Sequence, residues 1–276
     1  MRDGLSSQLP WRASDRVAIV AAHPDDEVIG AGGQFGAIER LTFIHVTDGA
    51  PKNMSDAFAA GFRTREDYAR ARRDEFEAAL EIAGVRSSAK RQIGIVDQEA
   101  AFSLGGLARS LAGLFREADI DVVLTHPYEG GHPDHDSTAF AVRAACDLLA
   151  IDRCAPSAVE FTSYHDGNGT IAVCEFLSLP DSDIQPDICT VRLPAAARHL
   201  KARMLSCYRS QQSMLKAFPD GMENFRLAPR YDFTQPPHSG RLFYERFNWG
   251  INGTGWRALA ARARAELGLT ALLPSI

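Results

Sequence analysis

Cysteine and long apolar runs are both scarce in this sequence, and each absence narrows the range of protein classes. The 276 residues contain five cysteines, Cys146, Cys154, Cys174, Cys189 and Cys207. Their odd number and wide spacing fit neither a disulfide framework nor a Cys-x-x-Cys zinc site, so we expect reduced thiols in a cytoplasmic protein. No apolar run approaches the roughly 20 residues of a membrane-spanning helix. Residues 1–16 also lack the apolar core of a signal peptide.

Positive charge is not in excess either. Lys and Arg number 30 against 35 Asp and Glu, which gives a formal net charge of -5. A nucleic-acid partner would call for a basic face, so we expect none. The length allows one α/β domain or two smaller ones. Because the cysteines do not form a metal site, any metal would be held by His and carboxylate side chains.

Short apolar runs alternate with amphipathic stretches from residue 15 to about 150. This alternation predicts parallel strands joined by helical crossovers, and therefore an α/β, Rossmann-like, mostly parallel sheet flanked by helices. Strands are predicted at 16–22, 41–47, 91–96 and 121–126, and helices at 27–39, 64–83, 104–118 and 134–150.

The pattern becomes less regular after residue 150. Strands are predicted at 157–164, 171–178 and 187–193, and helices at 194–216 and 256–267. The stretch 217–255 is rich in Pro, Gly and aromatic residues, which we expect to cover the core, line a pocket or meet another subunit. We find no internal repeat or linker. We therefore predict a single domain over 1–276, with a core at about 15–216, a loop-rich C-terminal elaboration at about 217–276, and a possible homo-oligomer.

Two clusters of His and Asp follow predicted strands. The first is His23-Pro24-Asp25-Asp26-Glu27 and the second is His132-Pro133-Asp134-His135-Asp136. Adjacent carboxylates repel each other, and a divalent cation would remove that penalty. In an open parallel sheet, ligands bind outside the carboxyl ends of the strands, where both clusters are expected to lie.

Together the two clusters contain enough groups for metal-assisted hydrolysis. His23, Asp25, Asp26, His132 and His135 offer three metal ligands together with an acid and a base. Three protein ligands and an open position are typical of a catalytic zinc. Such a metal lowers the pKa of its water and polarises a carbonyl group. Zn2+ is the expected ion, although Fe2+ or another divalent metal also suits these ligand types.

The paired motifs resemble those of the PIG-L/LmbE-like N-acetylglucosamine deacetylases. The resemblance covers residues 16–150 well and the remainder weakly. It includes Gly30-x-Gly32-Gly33 after the first motif, Thr47-Asp48-Gly49, Arg72-x-x-Glu75 and Asp97. The implied activity is removal of the acetyl group from a small or conjugated N-acetyl amino sugar.

The resemblance also implies roles for individual residues. His23, Asp26 and His135 would bind zinc. Asp25 would be the general base, and His132 would stabilise the tetrahedral intermediate and protonate the leaving amine.

Three further residues have less direct implied roles. Asp134 would orient a neighbouring histidine. Arg72 and Asp97 resemble positions that hold sugar hydroxyls.

One position departs from the resemblance. The mycothiol-pathway deacetylase of this family has a Tyr two residues before the second motif, where this chain has Gly130. Either Tyr128 reaches the substrate instead, or zinc and His132 stabilise the oxyanion without it.

Other functions are compatible with the same residues. The nearest alternative is a zinc amidase acting on a larger thiol-conjugate or antibiotic amide. A non-catalytic sugar-binding protein on the same fold is the second, and a nucleotide-binding oxidoreductase is a distant third. Outside the motifs, His45 is interpreted as a core histidine and Glu27 as a structural residue.

Overall fold

The computed structural model describes residues 9–86, 88–150, 155–179 and 185–269. The strands are β1 (Arg16–Ala21), β2 (Arg40–Thr47), β3 (Ala89–Ile95), β4 (Val122–Thr125), β5 (Ser157–Phe161), β6 (Tyr164–Gly167), β7 (Thr170–Val173), β8 (Cys189–Arg192) and β9 (Met222–Leu227). The helices are α1 (Asp26–Ala31), α2 (Ser55–Ala59), α3 (Arg65–Ala83), α4 (Leu104–Glu117), α5 (Pro133–Ala150), α6 (Ala195–Leu205), α7 (Gln212–Leu215) and α8 (Gly253–Glu266).

Seven of the described strands form one sheet in the order β3-β2-β1-β4-β5-β9-β8. The first five strands pair in parallel, and β9 pairs antiparallel with both β5 and β8. Strands β6 and β7 form a separate hairpin. The predicted α/β, mostly parallel architecture is therefore confirmed.

Both faces of the sheet are covered, which explains the continuous apolar run of β1. Ala18 and Val20 face a core built largely from α4, α5 and α8. Val17 and Ile19 face the opposite core, to which α1, α3 and α6 contribute. Successive strand residues point to opposite faces, so a strand with a core on each side has no polar position.

Several helix predictions agree closely with the structure. The helix predicted at 64–83 is Arg65–Ala83, and Gly84 ends it with a φ of 73°, as a left-handed cap requires. The helix predicted at 27–39 is shorter, because it ends at Ala31 and continues as a 3-10 turn over Gly32–Ala37. Its four glycines lower the helical propensity of this segment.

Three predicted elements are divided or shortened in the structure. The helix predicted at 194–216 breaks after Leu205, and Tyr208 turns inward there to hydrogen bond Glu27. The strand predicted at 157–164 divides into β5 and β6. The strand predicted at 171–178 is only Thr170–Val173.

Strand β9 is not predicted by the sequence pattern, and it lies inside the sheet although it belongs to the stretch assigned to the elaboration. Because β9 contains charged residues, its sequence lacks the apolar pattern that predicts a buried strand. Glu223 is paired with Lys201 of α6, with 2.7 Å between Oε1 and Nζ. Arg226 is paired with Glu160 of β5, with 2.7 Å between Nε and Oε2. A single-domain organisation over 1–276 stays a prediction.

Two other predictions concern thiols and membranes. Within the described residues, Cys146, Cys174 and Cys207 are free thiols, and Cys154 lies outside those residues. Among the described helices, none has both the length and the apolar character to cross a membrane.

Lys201 offers a direct test of the buried pair that anchors β9. Its ammonium group also donates to the Ile29 carbonyl, and the side chain is 1% exposed. We expect Lys201→Met to lower the free energy of unfolding by about 3–5 kcal/mol, because Glu223 is left as a buried carboxylate without its counter-charge. Urea denaturation measures this loss. The exposed Lys216→Met is the control, and an equal effect of both changes would contradict the assignment.

Glu129 offers a second test, through pH. Burial raises the pKa of its carboxyl from 4.5 to about 8, although nearby Arg226 opposes the shift. The pKa of the Glu129 carboxyl is higher in the folded protein than in the unfolded chain. This group therefore contributes its full stabilisation below about pH 4.5 and loses it as the pH rises through about 8. We therefore expect Glu129→Gln to raise the unfolding temperature relative to wild type more at the upper than at the lower end of this range. The exposed Glu117→Gln should show no such trend in the same thermal scans.

Candidate active site

The two His and Asp clusters meet at the carboxyl ends of β1 and β4, which are neighbours in the sheet. His23 to Asp26 connect β1 to α1, and His132 to Asp136 lead into and begin α5. Asp97 follows β3 and joins them. The site therefore lies where ligands bind in open α/β sheets.

Three of the predicted residues form a compact donor group. One oxygen of Asp26 lies 3.2 Å from Nδ1 of His23, and the other lies 3.3 Å from Nε2 of His135. One donor atom from each of these residues lies within 4.8 Å of the others, and all three side chains are buried. Two imidazole nitrogens and a carboxylate are donors that suit Zn2+ or Fe2+.

In His23 and His135, the ring nitrogen that does not face Asp26 also has a partner. Nδ1 of His135 lies 3.2 Å from Oγ of Ser163. Nε2 of His23 lies 3.1 Å from Asp97 and 3.3 Å from Asp134. Such partners fix the ring orientation of metal-binding histidines. Burial lowers the pKa of His135 to about 3, so its imidazole is neutral and able to bind a cation.

A second group of possible ligands consists of His23, Asp97, His132 and Asp134. Asp134 is already engaged, because it accepts backbone N–H bonds of 2.6 Å from Gln98 and 3.1 Å from Ala100. Its position favours the predicted orienting role beside His23. The group of His23, Asp26 and His135 therefore remains the better metal candidate.

Asp25 has an unusual backbone conformation for a residue other than glycine, with a φ of 129°. Glu27 holds it there by accepting the Asp25 N–H at 3.1 Å. Glu27 is itself fully buried and hydrogen bonded to Tyr208 and, at 2.9 Å, to His45. Strained backbone of this kind is found where a site requires one side-chain direction. Glu27 and His45 are thus structural, as interpreted from sequence.

The Asp25 carboxylate faces Arg72, with 3.2 Å between Oδ2 and Nη1. Burial raises the pKa of Asp25 to about 7, and Arg72 opposes this rise. Gly49 makes room for the guanidinium, since a Cβ at this position would lie 2.7 Å from the Arg72 Nε. Asp48 shapes the same turn by accepting the Ala50 N–H and pairing with Arg65.

His132 lines the same cavity as Asp25. Its Nδ1 accepts the Asp134 N–H at 3.1 Å, which leaves the proton on Nε2, 4.0 Å from Asp97. Burial and the neighbouring His23 hold the pKa of His132 well below its usual value. The ring packs against Trp249, with 4.5 Å between centroids.

Tyr128 does not reach the substrate cavity, so its predicted substrate-binding role is wrong. Its ring is in the core, 5.2 Å from the ring of Trp256, and its hydroxyl donates to the Gln235 carbonyl at 2.9 Å. Gly130, with a φ of 70°, instead allows Leu242 to approach so closely that a Cβ would lie 2.7 Å from it. The C-terminal segment therefore occupies the space beside the second motif.

Two aromatic residues of the cavity contact the histidines of the second motif. Tyr164 lies 5.1 Å from the His135 ring, and Trp249 lies against His132. The aromatic content of 217–255 was the signal for Trp249, whereas Tyr164 had none. His126 also supports the site, stacking 4.0 Å from His135 and accepting the Ala22 N–H at 3.1 Å.

The cavity has a volume of about 700 Å³, within the range of about 300–1,000 Å³ typical of ligand sites. Of the predicted residues, it is lined by His23, Asp25, Asp26, Arg72, Asp97, His132 and His135. Asp134 is fully buried beside it. The arrangement brings a candidate metal group, a carboxylate and an imidazole to one cavity.

Solved structures share this fold at low sequence identity. The A40926 pseudoaglycone deacetylase aligns with a TM-score of 0.60 and 21% identity, over 79% of this chain and 98% of that one. The N,N'-diacetylchitobiose deacetylase from Pyrococcus horikoshii aligns with a TM-score of 0.57 and 19% identity, over 82% of this chain and 88% of that one. At these identities the likeness concerns the fold alone.

Sequence comparison gives the family. The model of the family described as PIG-L, GlcNAc-PI de-N-acetylase, matches residues 18–146. The probable N-acetyl-alpha-D-glucosaminyl L-malate deacetylase 2 of Bacillus anthracis is 31% identical over 159 residues, which cover 54% of this chain and 68% of the relative. The matched region includes both buried clusters, and the chain belongs to the PIG-L family.

Proposed function

We propose that this protein is a metal-dependent hydrolase that removes the N-acetyl group from an N-acetylglucosamine-type amino sugar or its conjugate. The products are acetate and a free amine. The observation that carries the proposal is the placement of Asp25 and His132 in the same cavity as the donor group of His23, Asp26 and His135. The names of relatives that act on acetylated amino sugars support the substrate class.

His23, Asp26 and His135 would hold the metal, for which we propose Zn2+, with Fe2+ or another divalent metal as alternatives. A bound divalent ion at such a site supplies a Lewis acid, which lowers the pKa of water and polarises the amide carbonyl. The neutral state of His135 and the partners of the two ring nitrogens that do not face Asp26 support this assignment.

Asp25 is the proposed general base. It takes one proton from the attacking water as the water oxygen bonds to the carbonyl carbon. Arg72 fixes one carboxylate oxygen and Glu27 fixes the backbone, so the carboxylate has a single direction. It is not part of the donor group, which leaves it available to accept the proton.

His132 is the proposed acid. Its Nε2–H donates a hydrogen bond to the carbonyl oxygen as negative charge develops there. Asp25 then passes the proton taken from water to His132, and the resulting imidazolium gives one proton to the leaving nitrogen as the C–N bond breaks, so both side chains return to their starting protonation states. Asp97, 4.0 Å from Nε2, supports this imidazole while it carries positive charge.

A larger amide substrate is the second candidate function. The aromatic side chains beside His132 favour it, because they extend the cavity with apolar surface. A non-catalytic sugar-binding protein would need none of the base, acid and ligand groups that meet here. A cytoplasmic location and self-association stay predictions.

A substrate panel tests the reaction class. We expect zinc-loaded protein to release acetate from N-acetylglucosaminides, because Asp25, His132 and the candidate metal group line one cavity. Acetate is measured by a coupled enzymatic assay. Faster cleavage of thiol-conjugate or antibiotic amides would favour the amidase instead. Sugar binding without release of acetate from any substrate would favour the non-catalytic protein.

Two variants separate the metal ligand from the base. We expect Asp25→Asn to retain metal and lower kcat by about 10²–10⁴-fold, the usual contribution of a general base. We expect His135→Ala to lose metal, because it removes one of three donors. Metal content by mass spectrometry and acetate release are measured on both variants. Normal metal content in His135→Ala would contradict the ligand assignment.

A further inference from the structure

A continuous series of aromatic rings borders the candidate metal group on one side. We call Tyr164, Phe243, Phe247 and Trp249 the aromatic rim. Centroid distances are 5.6 Å from Tyr164 to Phe243, 5.4 Å from Phe243 to Phe247 and 4.5 Å from Phe247 to Trp249. The two ends of the rim contact His135 and His132. The rim is therefore continuous with the proposed reaction site.

The rim is attached to the rest of the protein by polar contacts. The Phe243 N–H donates to the Gly130 carbonyl at 2.9 Å, which ties the rim to the second motif. Arg246 pairs with Asp166 and donates to the Gly169 carbonyl at 2.6 Å, which ties it to the β6–β7 hairpin. These contacts hold the rings in place before any ligand binds, which reduces the entropic cost of binding.

The aromatic rim presents apolar surface to the cavity. Phe247 is 43% exposed although it stacks on Trp249 at an interplanar angle of 14°. Ile171 of the hairpin is 36% exposed on the same cavity. Glu75, Ser210 and Gln211 also line the cavity, as do the rings of Phe62 and Tyr68. Of these rings, only those of the aromatic rim form a continuous series that contacts both His132 and His135.

We propose that the aromatic rim is a subsite for an apolar, ring-containing aglycone on the acetylated sugar. The inference rests on the proposed function. In an N-acetylglucosaminide the acetamido group and the aglycone are on adjacent sugar carbons, so a substrate with its amide at the metal group places its aglycone within reach of the neighbouring wall. Aromatic groups stack favourably on rings held at these separations.

An anionic substituent is the competing occupant. Arg209 lines the cavity, and its guanidinium has no ion pair among the residues that the structure describes. It is one exposed side chain, whereas the rim consists of four rings in mutual contact that reach both histidines. The observations therefore favour the apolar aglycone, and the anionic substituent becomes an outcome of the test.

The experiment compares acetate release from methyl, 4-nitrophenyl and malate N-acetylglucosaminides by the zinc-loaded protein. We expect kcat/KM to be about tenfold higher for the 4-nitrophenyl than for the methyl substrate, as one stacking interaction of this kind allows. We expect Phe247→Ala to lower this ratio of kcat/KM values to about one. The control is Phe102→Ala, which removes an equally large exposed ring that lines a separate cavity with Gly105 and Arg262, and it should keep the ratio.

Equal rates on the methyl and 4-nitrophenyl substrates, or a ratio that survives Phe247→Ala, would overturn the rim subsite while leaving the proposed function intact. A preference for the malate substrate that is lost in Arg209→Gln would also overturn it, in favour of an anionic substituent. Calorimetric binding of 4-nitrophenyl N-acetylglucosaminide tests the rim without turnover. Binding weakened by Phe247→Ala but not by Phe102→Ala supports the subsite even if no substrate is hydrolysed, in which case the proposed function alone fails.

Discussion

The carboxylate of Asp26 is the interaction on which the site depends. It accepts the His23 N–H at 2.8 Å and lies within 3.4 Å of nitrogens of His23, His126 and His135. These residues come from the ends of two neighbouring strands and from the first turn of α5. A buried carboxylate must be paired to be tolerated, so folding draws the groups around Asp26 together. The electrostatics of one side chain thus join the two motifs.

Much of the candidate site was predictable from sequence, because each motif is a short segment that follows a predicted strand. The apolar runs of β1 and β4 identify parallel strands, and neighbouring parallel strands bring their carboxyl ends together. The proximity of the two clusters was predicted on that basis, whereas the selection of His23, Asp26 and His135 as the metal group came from the family resemblance. Strand β9 and the inward turn at Tyr208 were not predictable in the same way. Glu223, Arg226 and Tyr208 are polar, and only distant partners make their burial favourable.

Tyr128 illustrates the limit of reasoning by analogy with a motif. Its distance along the chain from His132 allowed a role in catalysis, but its apolar ring is more stable against Trp256 and Phe233 in the core. Three of the four rings of the aromatic rim, Phe243, Phe247 and Trp249, come instead from more than 100 positions later in the chain. Contacts of that range depend on which segments dock together, and a single sequence does not reveal them.

Gly130 connects these observations, because its lack of a side chain is what admits the C-terminal segment. The segment that carries Phe243 to Trp249 meets the second motif through one backbone hydrogen bond, the close approach of Leu242 and the contact of Trp249 with His132. The proposed reacting groups and three of the four rings of the aromatic rim therefore lie in separate parts of the chain. Sequence changes at residues 243–249 can thus alter the proposed aglycone subsite while the residues of both motifs stay the same.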